Sequence, residues 1–574
     1  MYPAELELSE VVKFLLSNGI NASIHKGEIF TNHTTSKRNF TMRVAIPSTF
    51  PCTLPNFHLV DRDSYGGLAH VAWGENGYAD ICFGAGEHFS TNIDEPFLVI
   101  LDTLKLAEKI VRRGIEDLDF NKKELIREFG GVWRFHVKNN STPLLSTITS
   151  LNEIQELTVR SATRDNPSYG LGSVIIASDN VPNSSFAVNV SARSPNRQIE
   201  GKAIYLPVPS QLSVLPPAPY ESLIDWWTVL LGLLDYSLNK KLKLISRTTK
   251  SKKCYLIIGL TINGQLAQIA IEFGNEKKSQ LPLDTLYLAG WTATAVNVDD
   301  MSAQNLLRRG GAEKGLSNKR VCLIGCGSVG GYIAQSLASS GLGYLTLIDF
   351  DTYRPENIHR HILPARYLYY LKTIALRNYI QANMPFVKVT TLESQLLSLD
   401  FNKFNQYDLI VVATGNVSHE RQLNKVMKAN GITVPVIYTW QEAYGVGGHA
   451  VLSLPNKEGC LECTYIGLDS DEPELFNNLN FISPGQKIVK GHVGCGTEFL
   501  PYSNLDAQDT ANLASRLTLT VVRDGMNEGM ATSWRKKNQE ADFASVEFTH
   551  RYKYLNNIDE LRPIANKRCI CCGK

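Results

Sequence analysis

The stretch Val321-Cys322-Leu323-Ile324-Gly325-Cys326-Gly327-Ser328-Val329-Gly330-Gly331 decides the fold. Four apolar residues read as a buried strand, the glycines as a tight turn, and the residues after them as the start of a helix. In Gly325-x-Gly327-x-x-Gly330 the missing side chains let backbone N–H groups approach phosphate oxygens, and the helix N-terminus adds a dipole that favours an anion. Asp349 and Asp351 follow about 20 residues later, where a carboxylate meets ribose hydroxyls. The bland alternative is a turn that only packs helix on strand.

Working outward, Ala303–Arg309 reads as a helix before this strand. After it come helix 329–340, strand Tyr344–Ile348, helix Leu368–Gln381 and strands Val387–Thr391 and Leu409–Ala413. Such alternation predicts a parallel, doubly wound α/β sheet, and residues 296–574 form that domain. Residues 1–120 read as an α+β domain. Leu8, Val11, Val12, Leu15 and Leu16 have helical spacing, Glu28–Phe30, Arg38–Ile46 and Phe57–Val60 are strand-like, and Pro96–Arg112 is an amphipathic helix. Residues 121–295 read as an α+β linking domain of unknown role, with strands at 173–177 and 202–208 and a hairpin across Asn263-Gly264. Leu223–Leu238 reads as one buried helix, too short and too charged, with Asp225 and Asp235, to span a bilayer.

At 574 residues the chain needs several cores. A net charge of +2 with mixed signs argues against a dedicated nucleic-acid binder. Met1–Asn21 is broken by Glu5, Glu7, Glu10 and Lys13, unlike a secretory leader. Eleven cysteines, single or in CxxC pairs, fit a reducing cytoplasm.

The Gly-rich turn does not separate a dinucleotide from ATP; the residues after it do. Glu356-Asn357-Ile358-His359-Arg360 and then Lys372 place polar and positive groups where a triphosphate tail would lie, and a nicotinamide enzyme has no need of them. Together with Asn383-Met384-Pro385 and Asp408–Asn416, these residues resemble the ThiF/MoeB family, the adenylating core of ubiquitin-activating enzymes. The resemblance implies that Gly325, Gly327 and Gly330 cradle ATP, that Asp351 holds the ribose, and that Asn357, Arg360 and Lys372 contact the phosphates. It implies an arginine for the γ-phosphate, Arg308 or Arg309, often supplied in that family by the other protomer of a homodimer. The family's Mg²⁺-binding aspartate has no counterpart in Thr414-Gly415-Asn416. Either Asn416 ligates the ion or the ion is held otherwise.

Cys460-Leu461-Glu462-Cys463 and Cys569-Ile570-Cys571-Cys572 suit tetrahedral Zn²⁺. CxxC spacing selects Cys572 over Cys571, and the metal would tie the tail back onto the domain, as the family's structural zinc does. Cys495, in Gly491-His492-Val493-Gly494-Cys495-Gly496, is flanked by glycines and precedes a helix at Ala507–Leu519, a setting that favours a reactive thiolate. Its position resembles that of the catalytic cysteine of ubiquitin-activating enzymes.

Cys82, in Asp80-Ile81-Cys82-Phe83-Gly84, follows Pro47, Pro51 and Pro55. This pattern resembles a ubiquitin-conjugating enzyme, in which the cysteine after such an Ile carries the thioester. That family's His-Pro-Asn triplet is not intact: His70-Val71-Ala72 stands near its place and Asn76 lies closer to the cysteine.

These resemblances imply a relay of ATP-dependent adenylation of a protein C-terminal carboxylate, thioester on Cys495, transfer to Cys82, and conjugation to a target amine. The order of domains resembles bacterial fusions of CBASS antiviral operons, which implies a cGAS-like nucleotidyltransferase as the carboxylate donor; other such fusions serve ubiquitin-like proteins. The competing readings are a nicotinamide-dependent oxidoreductase on the same turn and a non-catalytic conjugating-like scaffold.

Overall fold

The computed structural model describes residues 7–61, 67–73, 78–84, 92, 94–138, 141–148, 151–163, 173–178, 201–218, 221–311, 315–384, 386–455, 457–467, 474–491, 498–555 and 560–572. These fall into two compact units that divide between Ser302 and Ala303.

In the second unit, Arg320–Ile324 is the middle one of five parallel strands in an eight-stranded sheet. The order is Lys388–Leu392, Tyr344–Ile348, Arg320–Ile324, Leu409–Val412, Val436–Gln441, Gly447–Ser453, Met530–Arg535 and Arg562–Pro563. The first five strands run parallel, and the last three add on antiparallel. Counted along the chain the parallel part has order 3-2-1-4-5, so the winding reverses between Arg320–Ile324 and Leu409–Val412. A crevice opens at the carboxyl ends of such a pair, and ligands of doubly wound sheets bind there. Helices Ser328–Ser339, Lys372–Asn383 and Asn504–Asp524 place apolar residues against one face of the sheet. The inner parallel strands Arg320–Ile324, Leu409–Val412 and Val436–Gln441 are buried on both faces because both are covered.

The first unit holds two sheets. Residues 21–81 form a six-stranded antiparallel sheet, its core closed by helices Leu8–Ser17 and Pro96–Glu116. Residues 144–300 form an eight-stranded mixed sheet around the long hairpin Lys250–Ile262 and Gln265–Gln280. The run Leu223–Leu238 is not one helix. It is two, Leu223–Leu233 and Tyr236–Thr248, because the Asp235 side chain accepts a hydrogen bond from Leu238 N (2.9 Å) and caps a new helix. Val229, Leu233 and Tyr236 are exposed there, so the run is only half buried. Among the described residues no helix is long and apolar enough to cross a membrane.

Candidate active site

The Gly-rich turn leaves the strand at Gly325, whose φ of +95° and whose approach to Ala413 O (2.6 Å from a hypothetical Cβ) both exclude a side chain. A Cβ at Gly330 would stand 1.9 Å from Gly325 O, so this glycine lets helix and turn close on each other. Gly327 is different. Its φ is −79° and a Cβ there would meet nothing within 4 Å. Neither backbone strain nor packing requires a glycine at the N-cap of helix Ser328–Ser339; a ligand seated close against the backbone would.

A half-buried carboxylate and a buried imidazole hold the turn. Asp349 accepts from Cys326 N (2.7 Å) and Asp351 N (2.8 Å), tying the turn to the next strand. His361 is 6% exposed; Leu363 N donates to its Nδ1 (3.1 Å), so Nε2 carries the proton and donates to Cys326 O (2.8 Å). Burial pushes its pKa down to about 4. His33, buried against Phe40 in the first unit, is also lowered to about 4 by burial. A depressed imidazole stabilises the fold above its unfolded pKa of about 6.5 and loses that contribution as pH falls toward 4. We expect stability to decline between pH 6.5 and 4, by about 3 kcal/mol from His361, and thermal melts of His361→Gln to show a flatter acid limb.

Two cavities flank the turn, of about 400 and about 340 Å³. Gly327, Lys372, Ala413 and Thr414 line both. The smaller adds Gly325, Asp349, Phe350, Asp351, Asn416 and His419. The larger adds Asn357, Arg360, His361, Glu420, Gln441, Glu442, Asn480 and Tyr502. Lys372, 7% exposed, forms an ion pair with Asp351, and that lysine holds the carboxyl below the usual carboxylate range against the effect of burial. Asn357 Oδ1 accepts from Arg354 N (3.0 Å), and the Arg360 guanidinium lies 5.7 Å from the Tyr502 ring centroid. Asn416 caps helix Val417–Ala429 by accepting from His419 N (3.1 Å). The structure therefore gathers Gly325, Gly327, Asp351, Asn357, Arg360, Lys372 and Asn416 around one crevice. Gly330 lies beneath the turn, and Arg308 is exposed and lines neither cavity.

Sequence reading did not single out His361, Glu420, Gln441, Glu442 or Tyr502. Glu420 is 4% exposed and accepts from Thr414 Oγ1 (2.6 Å) and Gly415 N (3.1 Å). Burial pushes its pKa up to about 7. Glu442, 6% exposed, accepts from Phe481 N (2.8 Å) and pairs with His449 Nε2 (3.0 Å), whose Nδ1 meets Ser533 Oγ (2.8 Å). A carboxylate four residues after a helix-capping Asn looks in sequence like an ordinary first-turn residue, which carries no signal of burial.

Cys460, Cys463, Cys569 and Cys572 are buried, and their four sulfurs lie within 4.8 Å of one another. Cys460 and Cys569 Sγ stand 3.8 Å apart, and Cys463 and Cys572 Sγ 3.2 Å. Zn–S bonds of about 2.3 Å in a tetrahedron separate sulfurs by about 3.8 Å, so the cluster is compatible with zinc. Hydrogen bonds among the thiols lower Cys569 and raise Cys463.

Cys495 lies outside the described residues, as do Pro385 and Asn76 and the side chain of Arg309. Cys82 is exposed at the end of the hairpin Val71–Trp73 and Ala79–Ile81. Its N–H donates to His70 O (2.7 Å). His70 has φ +62° and is clamped by Glu128 (2.6 Å, with a second bond from His70 N at 2.9 Å) and Glu124 (3.1 Å), and the hydrogen bond to Glu128 raises its pKa. We expect His70→Ala to release this clamp and to speed hydrogen exchange at the Cys82 amide, read by amide exchange measured on both proteins.

Residues 301–495 match the model of the ThiF family. An ATP-dependent ubiquitin transferase-like protein Cap2 of Vibrio cholerae is 25% identical over 54% of this chain and 55% of its own length. A protein of the same name from Escherichia coli strain TW11681 is 24% identical over 70% of this chain and 71% of the relative. The chain thus spans little more than half of the Vibrio relative. Among solved structures, that of E. coli MccB with MccA-N7isoASN covers 47% of this chain and 70% of that chain, at 18% identity and a TM-score of 0.32.

Proposed function

We propose, from this kinship with ThiF-type and ubiquitin transferase-like proteins, that the chain adenylates the C-terminal carboxylate of a protein and passes it through two cysteines to an amine. The observation that carries the reading is Gly327, a glycine explained by neither φ nor packing, at the junction of two cavities. The smaller cavity suits the nucleoside, with Asp351 for the ribose. The N–H groups at the start of helix Ser328–Ser339, Lys372, Arg360 and Asn357 suit the phosphates. The larger cavity then takes the incoming C-terminus, whose carboxylate oxygen attacks the α-phosphorus and expels pyrophosphate. Positioning and neutralisation of phosphate charge do most of this work.

The acyl group then goes to the Cys495 sulfur with loss of AMP, to the Cys82 sulfur with release of the Cys495 thiol, and to a target amine with release of the Cys82 thiol. Two thioesters divide one hard transfer into easier ones. In this reading residues 1–120 are the conjugating-like domain, residues 121–295 link, and residues 296–574 adenylate. A cGAS-like nucleotidyltransferase is the proposed donor, in a cytoplasmic antiviral pathway. A homodimer would bring Arg308 or Arg309 to the partner's γ-phosphate. Zinc on Cys460, Cys463, Cys569 and Cys572 supplies a staple for the C-terminal tail, and Mg²⁺ supplies charge screening for the triphosphate.

The test is exchange of labelled pyrophosphate into ATP. We expect exchange only when a donor protein with a free C-terminal carboxylate is added. Binding of NAD(H) with no exchange for any C-terminus would instead favour the oxidoreductase.

A further inference from the structure

The loop that follows the fourth parallel strand, Thr414-Gly415-Asn416, has no carboxylate of its own, yet one is folded into it. Glu420 comes from the first turn of helix Val417–Ala429 and turns back on the loop, where it accepts from Thr414 Oγ1 and Gly415 N. It lines the larger cavity together with Gly327, Ser328 and Val329, whose backbone opens the phosphate-facing helix. We infer that Glu420 is the protein carboxylate that ligates the divalent cation of bound ATP. This rests on the adenylating function proposed above.

Three observations carry it. First, the charge is uncompensated. Among the described residues Glu420 has no ion pair, and the adjacent Arg421 is committed elsewhere: it pairs with Glu462 and lies 4.1 Å over the Tyr465 ring. Of the two cations in the cavity lining, Lys372 pairs with Asp351 and Arg360 stands over the Tyr502 ring. A carboxylate at 4% exposure that is faced by hydrogen bonds from its loop and by no cation is costly to keep ionised, and a bound divalent cation offsets that cost.

Second, there is room. A Cβ at Gly415 would meet nothing within 4 Å, so the loop leaves open space beside the carboxylate. Third, the polar groups around it are hard oxygens. Thr414 lines both cavities, and the Tyr438 hydroxyl, fully buried and within electrostatic reach of Glu420, has no hydrogen-bond partner among the described residues. Oxygen donors select Mg²⁺ or Mn²⁺ over zinc, and Mg²⁺ usually takes only one or two carboxylates, with phosphate oxygens and water filling its octahedron. A single glutamate beside the phosphate cradle meets that requirement. Asn416, whose Oδ1 is spent on the helix cap, does not.

The experiment measures Mn²⁺ binding to the full chain by the loss of the free-ion electron paramagnetic resonance signal, with the non-hydrolysable α,β-methylene analogue of ATP present. Binding of the same analogue is measured in EDTA. Glu420→Gln keeps the shape and most of the hydrogen-bond acceptors. We expect it to weaken Mn²⁺ at least tenfold and to leave metal-free nucleotide affinity within about threefold. Unchanged Mn²⁺ affinity overturns the assignment and leaves Glu420 as a holder of the loop. If the glutamine variant does not fold, Glu420→Asp, which retracts the carboxylate by one methylene, replaces it. A smaller loss of Mn²⁺ affinity is expected, and none overturns the assignment. Failure of the wild-type chain to bind the analogue even without metal would overturn the adenylating function itself, which is a separate outcome.

Discussion

Gly327→Val is expected to abolish the proposed pyrophosphate exchange while leaving the protein folded. A side chain at 327 meets open space in the protein, and φ of −79° is one that valine adopts readily. The melting temperature should therefore stay within about 2 °C of wild type. The same side chain fills the space in which the proposed phosphates meet the N–H groups of the helix start. We expect nucleotide affinity to fall at least about a hundredfold, or about 2.7 kcal/mol, with exchange reduced to background. Gly330→Val is the control of opposite kind. Its Cβ would lie 1.9 Å from Gly325 O, so the turn itself must shift and the protein melts early. Equal loss of stability in the two variants would show that Gly327 is needed for packing and that no ligand approaches it.

The second large effect is on stability. With the proposed zinc on the four thiols, its removal by a chelator, or Cys569→Ser, should lower the melting temperature of the second unit by about 10 °C or more, since metal binding at such sites is folding free energy. Among the described residues the tail meets the domain through short pieces: the two-residue strand Arg562–Pro563, Ile564, Arg568 and the cysteines themselves. Cys460 and Cys463 also bracket Leu461, and Tyr465 follows; both line the larger cavity. Loss of the metal should therefore loosen that wall and raise the concentration of donor protein needed for exchange. Cys571→Ser, outside the cluster of four, should change neither quantity.

The sheet was legible because its signals are local. Apolar runs, a Gly-rich turn and alternating helices set a parallel order whose reversal falls at the turn, so Gly325, Gly327, Asp351, Asn357, Arg360, Lys372 and Asn416 line one crevice while Gly330 and Arg308 do not. CxxC spacing likewise picked out the four thiols that cluster. Contacts that depend on long-range packing were not legible. Nothing in Leu223–Leu238 announces that Asp235 caps a second helix. Glu420 reads as a surface residue on an amphipathic helix, and only the fold turns it inward. His361 sits next to the arginine that drew attention, but its role in holding Cys326 O depends on a chain reversal. Cys82 was visible as a cysteine after an Ile, whereas the His70–Glu128–Glu124 clamp behind it joins residues more than fifty positions apart.

The central claim, that one activated carboxylate passes through two cysteines in series, is tested most directly by trapping thioesters on non-reducing gels. The chain would be incubated with ATP and a donor protein as wild type, Cys82→Ala and Cys495→Ala. The relay predicts a thiol-labile adduct on wild type, an adduct that persists on Cys82→Ala because it rests on Cys495, and none on Cys495→Ala. A thiol-labile adduct that survives both substitutions, or that forms without ATP, would contradict it.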